Sequence, residues 1–404
     1  MKLNRVLLTI AIITLLYSAT ANATCNSRYV RWSHKTITVL PTGSDDTANL
    51  QCAFDLGATI PGVTLQLSKG TFITGRLVVD GFNGTVRGMG MNVTTIRNPD
   101  TPLYVTPGDF YMVPPNSPYF APPYLLVFLG GDYNVTDLGL SIVGGNPATD
   151  WSIFGIRDWL GHGITSLAGP LVILGSATDN GYRKANASFQ RVAVKGELSD
   201  DPLYGYNTYN GIFYEGFVGP ELLPIKGTFK VTDSAFQTVG SSTPVDNLVD
   251  SRVSLTGNKL SDVVVGGEIL DLKNTVYEFA HNQVTGYYGI DLYDNCIGSE
   301  SNCGTSASYL SITNNIFRGT EGVWLDATFA KGTAALVLGN NFSLVNDIAV
   351  YLGERTSHCL VVGVDDGTVV DKGTDNFVIG MRKAGRTVPA RQATGGRPAR
   401  RLAK

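Results

Sequence analysis

The chain predicts a right-handed parallel β-helix, a single-stranded all-β solenoid with a short N-terminal capping α-helix. Three observations predict it. Short apolar strands recur at a near-constant spacing, Gly is abundant while charge is sparse, and a short amphipathic helix precedes the first strands. The repeat is marked by a polar residue before an apolar strand, in DSAF at 233–236, GNKL at 257–260, HNQV at 281–284, NNIF at 314–317 and NNF at 340–342. The marks Ser234, Asn258, Asn282, Asn315 and Asn341 lie 24, 24, 33 and 26 residues apart. A coil of three short strands cannot bury its apolar face alone, but stacked coils share one core and pair each strand with its equivalent. Asn at a turn tolerates left-handed backbone and can hydrogen-bond along the stack. The 47 Gly and only 16% charged residues suit a fold of many strands and tight turns.

The ends of the chain read differently from its body. Lys2 and Arg5, the apolar run Val6 to Tyr17 and Ala21-Asn22-Ala23 form a signal-peptide pattern over 1–23. The apolar run is too short for a spanning helix, which needs ~20 residues. Mature protein would begin at Thr24, exported to a secreted, periplasmic or cell-surface location. Residues 382–404 carry eight Arg or Lys and no acid, with no apolar period, and read as a basic disordered tail. Removing those eight charges, and two from the signal peptide, from a formal net charge of −3 leaves about −13 on the β-helix body, 24–381. An acidic body excludes a nucleic-acid partner, no later segment spans a membrane, and a monomer is expected.

Within the body, Ser44, Asp45 and Asp46 read as cap and first-turn acids of a helix at 45–57. Leu50, Ala53 and Phe54 share one face of it, which would cover the open end of the first coil. The 33-residue spacing exceeds 24 by nine and contains Cys296 and Cys303, which suggest a stapled insertion. Cys25 and Cys52 would tie the N-terminus to the helix, leaving Cys359 as a buried thiol; spacing alone does not choose this connectivity. Residues 99–125, with eight prolines, and 200–224 break the pattern and read as long loops rich in Tyr and Phe. Their rings would either meet sugar rings or pack the loops onto the coils.

The run from Val39 to Ile96 carries Gly43, Asp45, Asp46, Thr47, Leu65, Leu67, Gly70, Phe72, Arg87, Gly88, Gly90, Thr95 and Ile96. In these residues it resembles the pectin-lyase-like superfamily, and with the later coils the resemblance spans most of 36–380. It implies a substrate groove along one sheet, walled by long loops. That superfamily includes lyases, hydrolases, epimerases, phage spikes and non-catalytic surface proteins, so it does not name an activity. Specific motifs depart from pattern. Gly161-His162-Gly163 precedes Asp200-Asp201, the reverse of polygalacturonases. Val323-Trp324-Leu325-Asp326 is similar to a pectate-lyase motif, with Ala327 replacing its His. Tyr288-Gly289-Ile290-Asp291 is similar to the start of a mannuronan-epimerase signature, with Leu292 and Tyr293 replacing its Pro and His.

Aligning EILDL (268–272), IDLYD (290–294), VWLDA (323–327) and IAVYL (348–352) by the repeat gives two outward columns. One holds Asp271, Tyr293, Asp326 and Tyr351, the other Ile269, Asp291, Trp324 and Ala349. Asp271, Asp291 and Asp326 are therefore the catalytic candidates, with Tyr293, Trp324, Arg318 and Tyr351 binding substrate. Asp291 and Asp326 fall on adjacent coils, diagonally ~8 Å apart at Cα, a spacing that suits an inverting glycosidase. Three such carboxylates could instead hold Ca²⁺. The expected partner is a polysaccharide or cell-surface glycan, acidic or plant-type, cut by lyase or hydrolase chemistry. The alternatives are a non-catalytic adhesion or glycan-binding protein and a uronan epimerase.

Overall fold

The computed structural model describes residues 25–100, 104–105, 124–144, 165–166, 169–175, 177–178, 181–182, 184–198, 208–216, 224–294, 304–364 and 368–380. Three parallel ladders run side by side through these residues and close into coils. The first starts at Thr36–Val39 and Val63–Leu67 and ends at Cys359–Val362 and Phe377–Ile379. The second starts at Gly70–Ile73 and Thr94–Arg97. The third starts at Leu77–Asp80 and Tyr124–Leu129 and continues to Thr368–Asp371. Later strands turn a corner and serve two ladders, as Lys259–Lys273, Gln283–Tyr293 and Ile316–Asp326 do. The expected parallel β-helix is the observed architecture.

The coil length is visible in the register. Lys230 pairs with Ser254, Ser254 with Glu278, Glu278 with Ser311 and Ser311 with Leu336, steps of 24, 24, 33 and 25 residues. The nine extra residues fall between Asp294 and Gly304. Cys296 and Cys303 are among them and lie outside the described residues, as do 1–24 and 381–404.

Alternation in the first sheet sends every second side chain inward. Ala187, Phe229, Val253, Tyr277, Leu310, Ala335 and Cys359 form one inward column, with Ala187 at 2% exposure and the rest at 2% or less. Cys359 is thus a buried free thiol, as expected. Burial, aided by Asp371, pushes it up to about 12, which keeps the nucleophilic thiolate scarce. Phe317 stacks on Phe279 and Phe342 at 6.3 and 5.3 Å between centroids, so rings repeat along the axis as the strands do.

The polar marks lie at the corner between the first and second sheets and bond along the axis. The Asn258 Oδ1 accepts from the Ser234 amide, Asn282 from the Asn258 amide, and Asn315 from the Asn282 amide, at 2.8–3.0 Å. The next acceptor is Asn340, at 2.9 Å from the Asn315 amide. Asn341, the residue the spacing pointed to, is exposed and its carbonyl accepts locally from the Ser343 amide. The mark therefore moves by one residue.

The capping helix spans Thr47–Ala58, and Leu50, Ala53, Phe54 and Gly57 are its buried face. Phe54 meets Phe82 and Phe128 edge-on, each at 5.9 Å. Gln51 bonds both backbone groups of Val78 across 2.7 and 3.1 Å, and Cys25–Cys52 ties the preceding segment to the helix. The acids do not sit in the first turn as expected. Asp46 is buried and accepts from the Thr42 and Ile73 amides, so it holds the entry segment to the coil. Antiparallel pairing of Val30–Ser33 with Thr36–Val39 covers the first strand edge.

Candidate functional site

The three corners of the coil are not equivalent. Between the first and second sheets, connections stay short, as from Thr232 to Ala235, Thr256 to Lys259 and Thr313 to Ile316. Between the second and third, the chain inserts residues 98–123, 142–168 and 196–211 in three consecutive coils. Leaving the third sheet, it inserts 217–225 and 294–308. Extra chain therefore leaves both edges of the third sheet, and long loops on a rigid scaffold are where binding residues concentrate. Of the expected long loops, Tyr124 and Leu125 open the strand Tyr124–Leu129, and Ile212–Gly216 is a strand. Tyr124 and Phe213 pack together outside the third sheet, 6.3 Å apart, and Tyr214 enters the core. Tyr111, Tyr119, Phe120, Tyr204, Tyr206 and Phe217 lie outside the described residues.

The outward face of the third sheet changes character along the axis. Its first coils carry Val127, Leu129, Val172, Leu174 and Phe213, an apolar cluster separate from the core. Its later coils carry acids. Glu215 pairs with Asp246, and Glu268 pairs with Asp291. Asp291 pairs with Trp324 and Tyr293 with Asp326. Glu215, Asp246, Glu268, Asp291 and Asp326 thus form a zigzag, one carboxylate on each of five successive coils. Rungs are ~4.8 Å apart and i to i+2 is ~6.6 Å, so neighbours alternate between about 5 and 8 Å at Cα. Glu321, in register with Tyr288, adds a sixth acid beside the line.

Two predicted columns need correction. In register with Asp291 are Glu268, Trp324 and Tyr351, not Ile269 and Ala349. In register with Tyr293 are Leu270 and Asp326, so Asp271 and Tyr351 leave that column. Asp271 lies off the face, in left-handed backbone at φ 42°, and its Oδ1 accepts from the Gly304 amide at 3.0 Å. It pins the chain where the insertion returns. Arg318 is also displaced: it precedes the corner at Gly319 and is exposed on the second sheet, so it does not join the acids. With Asp271 removed, the carboxylates are strung along the axis rather than gathered. Among the described residues no group of three carboxylate, His or Cys side chains is arranged to hold a metal ion, so these residues do not fit the Ca²⁺ expectation.

Trp324 stacks on Tyr351 with centroids 3.8 Å apart and planes 9° from parallel, and Tyr288 meets Trp324 at 72°. The Lys372 ammonium lies over the Tyr351 ring at 5.5 Å. These rings spend faces on each other, so they offer little free stacking platform. The Tyr293 hydroxyl donates to Glu268 Oε1 at 2.5 Å. Beyond them, the Asp294 side chain takes Arg355 at 2.6 Å and both donors of Thr328, which ties three successive coils together.

Sequence reasoning missed Glu215, Asp246, Glu268 and Glu321. Glu215 is buried, and burial together with Asp246 holds its carboxyl well above the usual range. Its folded state therefore favours the proton more than its unfolded state does. That contribution to stability is present below the ordinary carboxyl range and is lost as pH climbs toward the raised value. Glu215→Gln keeps the shape and removes the titration. Denaturant midpoints measured from pH 4 to 8 should fall with rising pH more steeply for the natural protein than for Glu215→Gln; parallel profiles would contradict the assignment.

No family model matches the chain, and no curated protein matches it in sequence. Solved structures resemble it. A polygalacturonase from Erwinia carotovora ssp. carotovora is 11% identical over 87% of this chain and 97% of its own, with a TM-score of 0.45. The A-module of a mannuronan C-5 epimerase from Azotobacter vinelandii is 14% identical over 83% and 96%, with a TM-score of 0.36. An exopolygalacturonase from Thermotoga maritima is 10% identical over 87% and 93%, with a TM-score of 0.33. Likeness at this level carries no argument about chemistry.

Proposed function

We propose that the chain is an exported carbohydrate-active protein that holds an extended glycan along the third sheet and hydrolyses it with carboxylates. The observation that carries this reading is the zigzag of one outward carboxylate per coil, on the sheet from whose edges the long insertions leave. An extended polymer laid along the axis would reach the half-exposed Asp291 and Asp326, which continue the line of the buried Glu215, Asp246 and Glu268. The signal-peptide pattern and the Cys25–Cys52 disulfide support export, because disulfides persist in oxidising compartments.

The reaction assigned to the face is inverting hydrolysis. Glu268 and Asp291 sit one rung apart, so like-charge repulsion favours a proton on one of them. The Tyr293 hydroxyl holds Glu268, and Asp291, the half-exposed member of the pair, is assigned as the acid. Asp291 then protonates the leaving glycosidic oxygen as the C–O bond breaks. Asp326, diagonal to it and ~8 Å away at Cα, takes a proton from the water that adds to the anomeric carbon. A lyase would need a cationic or strongly basic group at this face, and Arg318 lies around the corner. The test is a panel of neutral, amino and uronate polysaccharides, followed for both new reducing ends and unsaturated products. Reducing ends without unsaturated products are expected. Unsaturated products would replace hydrolysis with elimination, and binding without either product would leave the non-catalytic alternative.

A further inference from the structure

The outward face of the first sheet also changes character along the axis. Its middle coils are polar: Thr228, Lys230 and Thr232 are followed by Arg252, Ser254 and Thr256 in the same three columns. The later coils turn these columns apolar. Val276 and Tyr309 follow Arg252, Leu360 and Phe377 end the Lys230 column, and Leu338, Val362 and Ile379 end the Thr232 column. All of these apolar side chains except Val362 are 38–67% exposed. Rungs are ~4.8 Å apart and i to i+2 is ~6.6 Å, so the side chains form one patch. Single exposed apolar residues are ordinary, but a contiguous patch marks an interaction surface.

Cations bound this patch at both ends. Lys230 and Arg252 are exposed on the coils before it, and neither forms an ion pair among the described residues. The one acid in these columns from Lys230 onward, Glu278, is half-buried and accepts from the Ser254 hydroxyl at 3.1 Å. Shortly past Ile379 begins the stretch 382–404, with its eight Arg or Lys and no acid. Positive charge therefore flanks an apolar face on a body that is acidic elsewhere.

We propose that this face docks on a lipid surface bearing anionic headgroups, its apolar side chains entering the acyl boundary and its flanking cations meeting the headgroups. Association of this kind grows with buried apolar area and with attraction to anionic lipid. A second copy of the chain fits less well, because pairing two patches would gather two basic stretches where like charges repel. An acidic glycan would answer the cations but leave the aliphatic side chains wet. Docking through the first sheet leaves the outward face of the third uncovered, so this inference and the glycan reading stand or fall separately.

The experiment mixes the full mature chain with vesicles of phosphatidylcholine alone, or of phosphatidylcholine with phosphatidylglycerol, and follows co-sedimentation at low and high salt. Binding to the acidic vesicles is expected to be at least about tenfold tighter than to the neutral ones, with the gap narrowing in salt. Leu360→Ser/Phe377→Ser and Lys230→Gln/Arg252→Gln should each weaken it about tenfold. All four residues are exposed, so thermal unfolding should not move. Hydroxyl-radical footprinting of the natural protein gives a readout that needs no variant. Acidic vesicles should protect Tyr309 and Phe377, while Leu344, exposed on the second sheet, stays reactive. No binding to acidic vesicles, equal binding to both kinds, or binding that the double serine variant leaves unchanged overturns the inference. So does protection of Leu344 with Phe377 still reactive. A concentration-dependent dimer without vesicle binding, dissolved by the same two serines, would give the face to a second copy instead.

Discussion

Replacing Asp291 or Asp326 by Asn should lower kcat by about 10² to 10⁴, because each carboxylate is asked to move a proton in the transition state. That is roughly 3–5.5 kcal/mol of barrier. Both side chains are half-exposed on the outward face, so unfolding free energies should stay within about 0.5 kcal/mol of the natural protein. Asp271→Asn is the informative control. Asn keeps an acceptor for the Gly304 amide, and the side chain is off the face, so activity should change little. The measurement is initial rate against substrate concentration for all three variants, with thermal unfolding alongside. Full loss in Asp271→Asn with retention in Asp291→Asn would restore the column that the register overturned.

The largest effect on stability should come from the polar ladder. Asn282 is fully buried; its Oδ1 accepts from the Asn258 amide and its Nδ2 donates to the Leu255 carbonyl at 2.8 Å. Asn282→Ala leaves both backbone groups without partners inside the protein. Each orphaned group costs about 1–3 kcal/mol, so the variant should lose about 2–6 kcal/mol. Asn340→Ala should behave similarly, since it serves Asn315 and the Ile312 carbonyl, while Asn341→Ala should fall within about 0.5 kcal/mol of the natural protein. Equilibrium denaturation in urea compares the three. Equal effects at 340 and 341 would remove the ladder as a source of stability.

The coil was legible in the sequence because burial repeats on it. Each coil needs a turn residue whose side chain serves the next, and that leaves an Asn or Ser at regular intervals. The helix was legible because Leu50, Ala53 and Phe54 recur at helical spacing ahead of the first strands. The candidate face was harder, because register along a strand depends on bulges that periodicity does not show. Counted from the ladder residue of its own coil, Glu268, Asp291, Trp324 and Tyr351 lie 10, 9, 9 and 11 residues on. The extra residue before Glu268 is taken up at Asp262, in left-handed backbone at φ 56°, where the register shifts. Two further shifts lie between Asn341 and Ile348, ahead of Tyr351. A single-residue slip turns a strand's side chains to the opposite face, so periodicity alone points Asp271, rather than Glu268, outward. Tyr351 slipped by two, which kept its face but changed its partner. Glu215 escaped for another reason: Tyr, Gly and Asn around 204–217 read as loop, and the strand Ile212–Gly216 is recruited by its neighbours in the ladder.

The central claim, that the outward face of the third sheet is the glycan site, is tested most directly by a crystal structure of Asp291→Asn with a bound oligosaccharide. The account predicts sugar density running along the coil axis over Glu268, position 291 and Asp326, with Trp324 at its wall. Sugar bound only on the first or second sheet, with the third sheet bare, would contradict it.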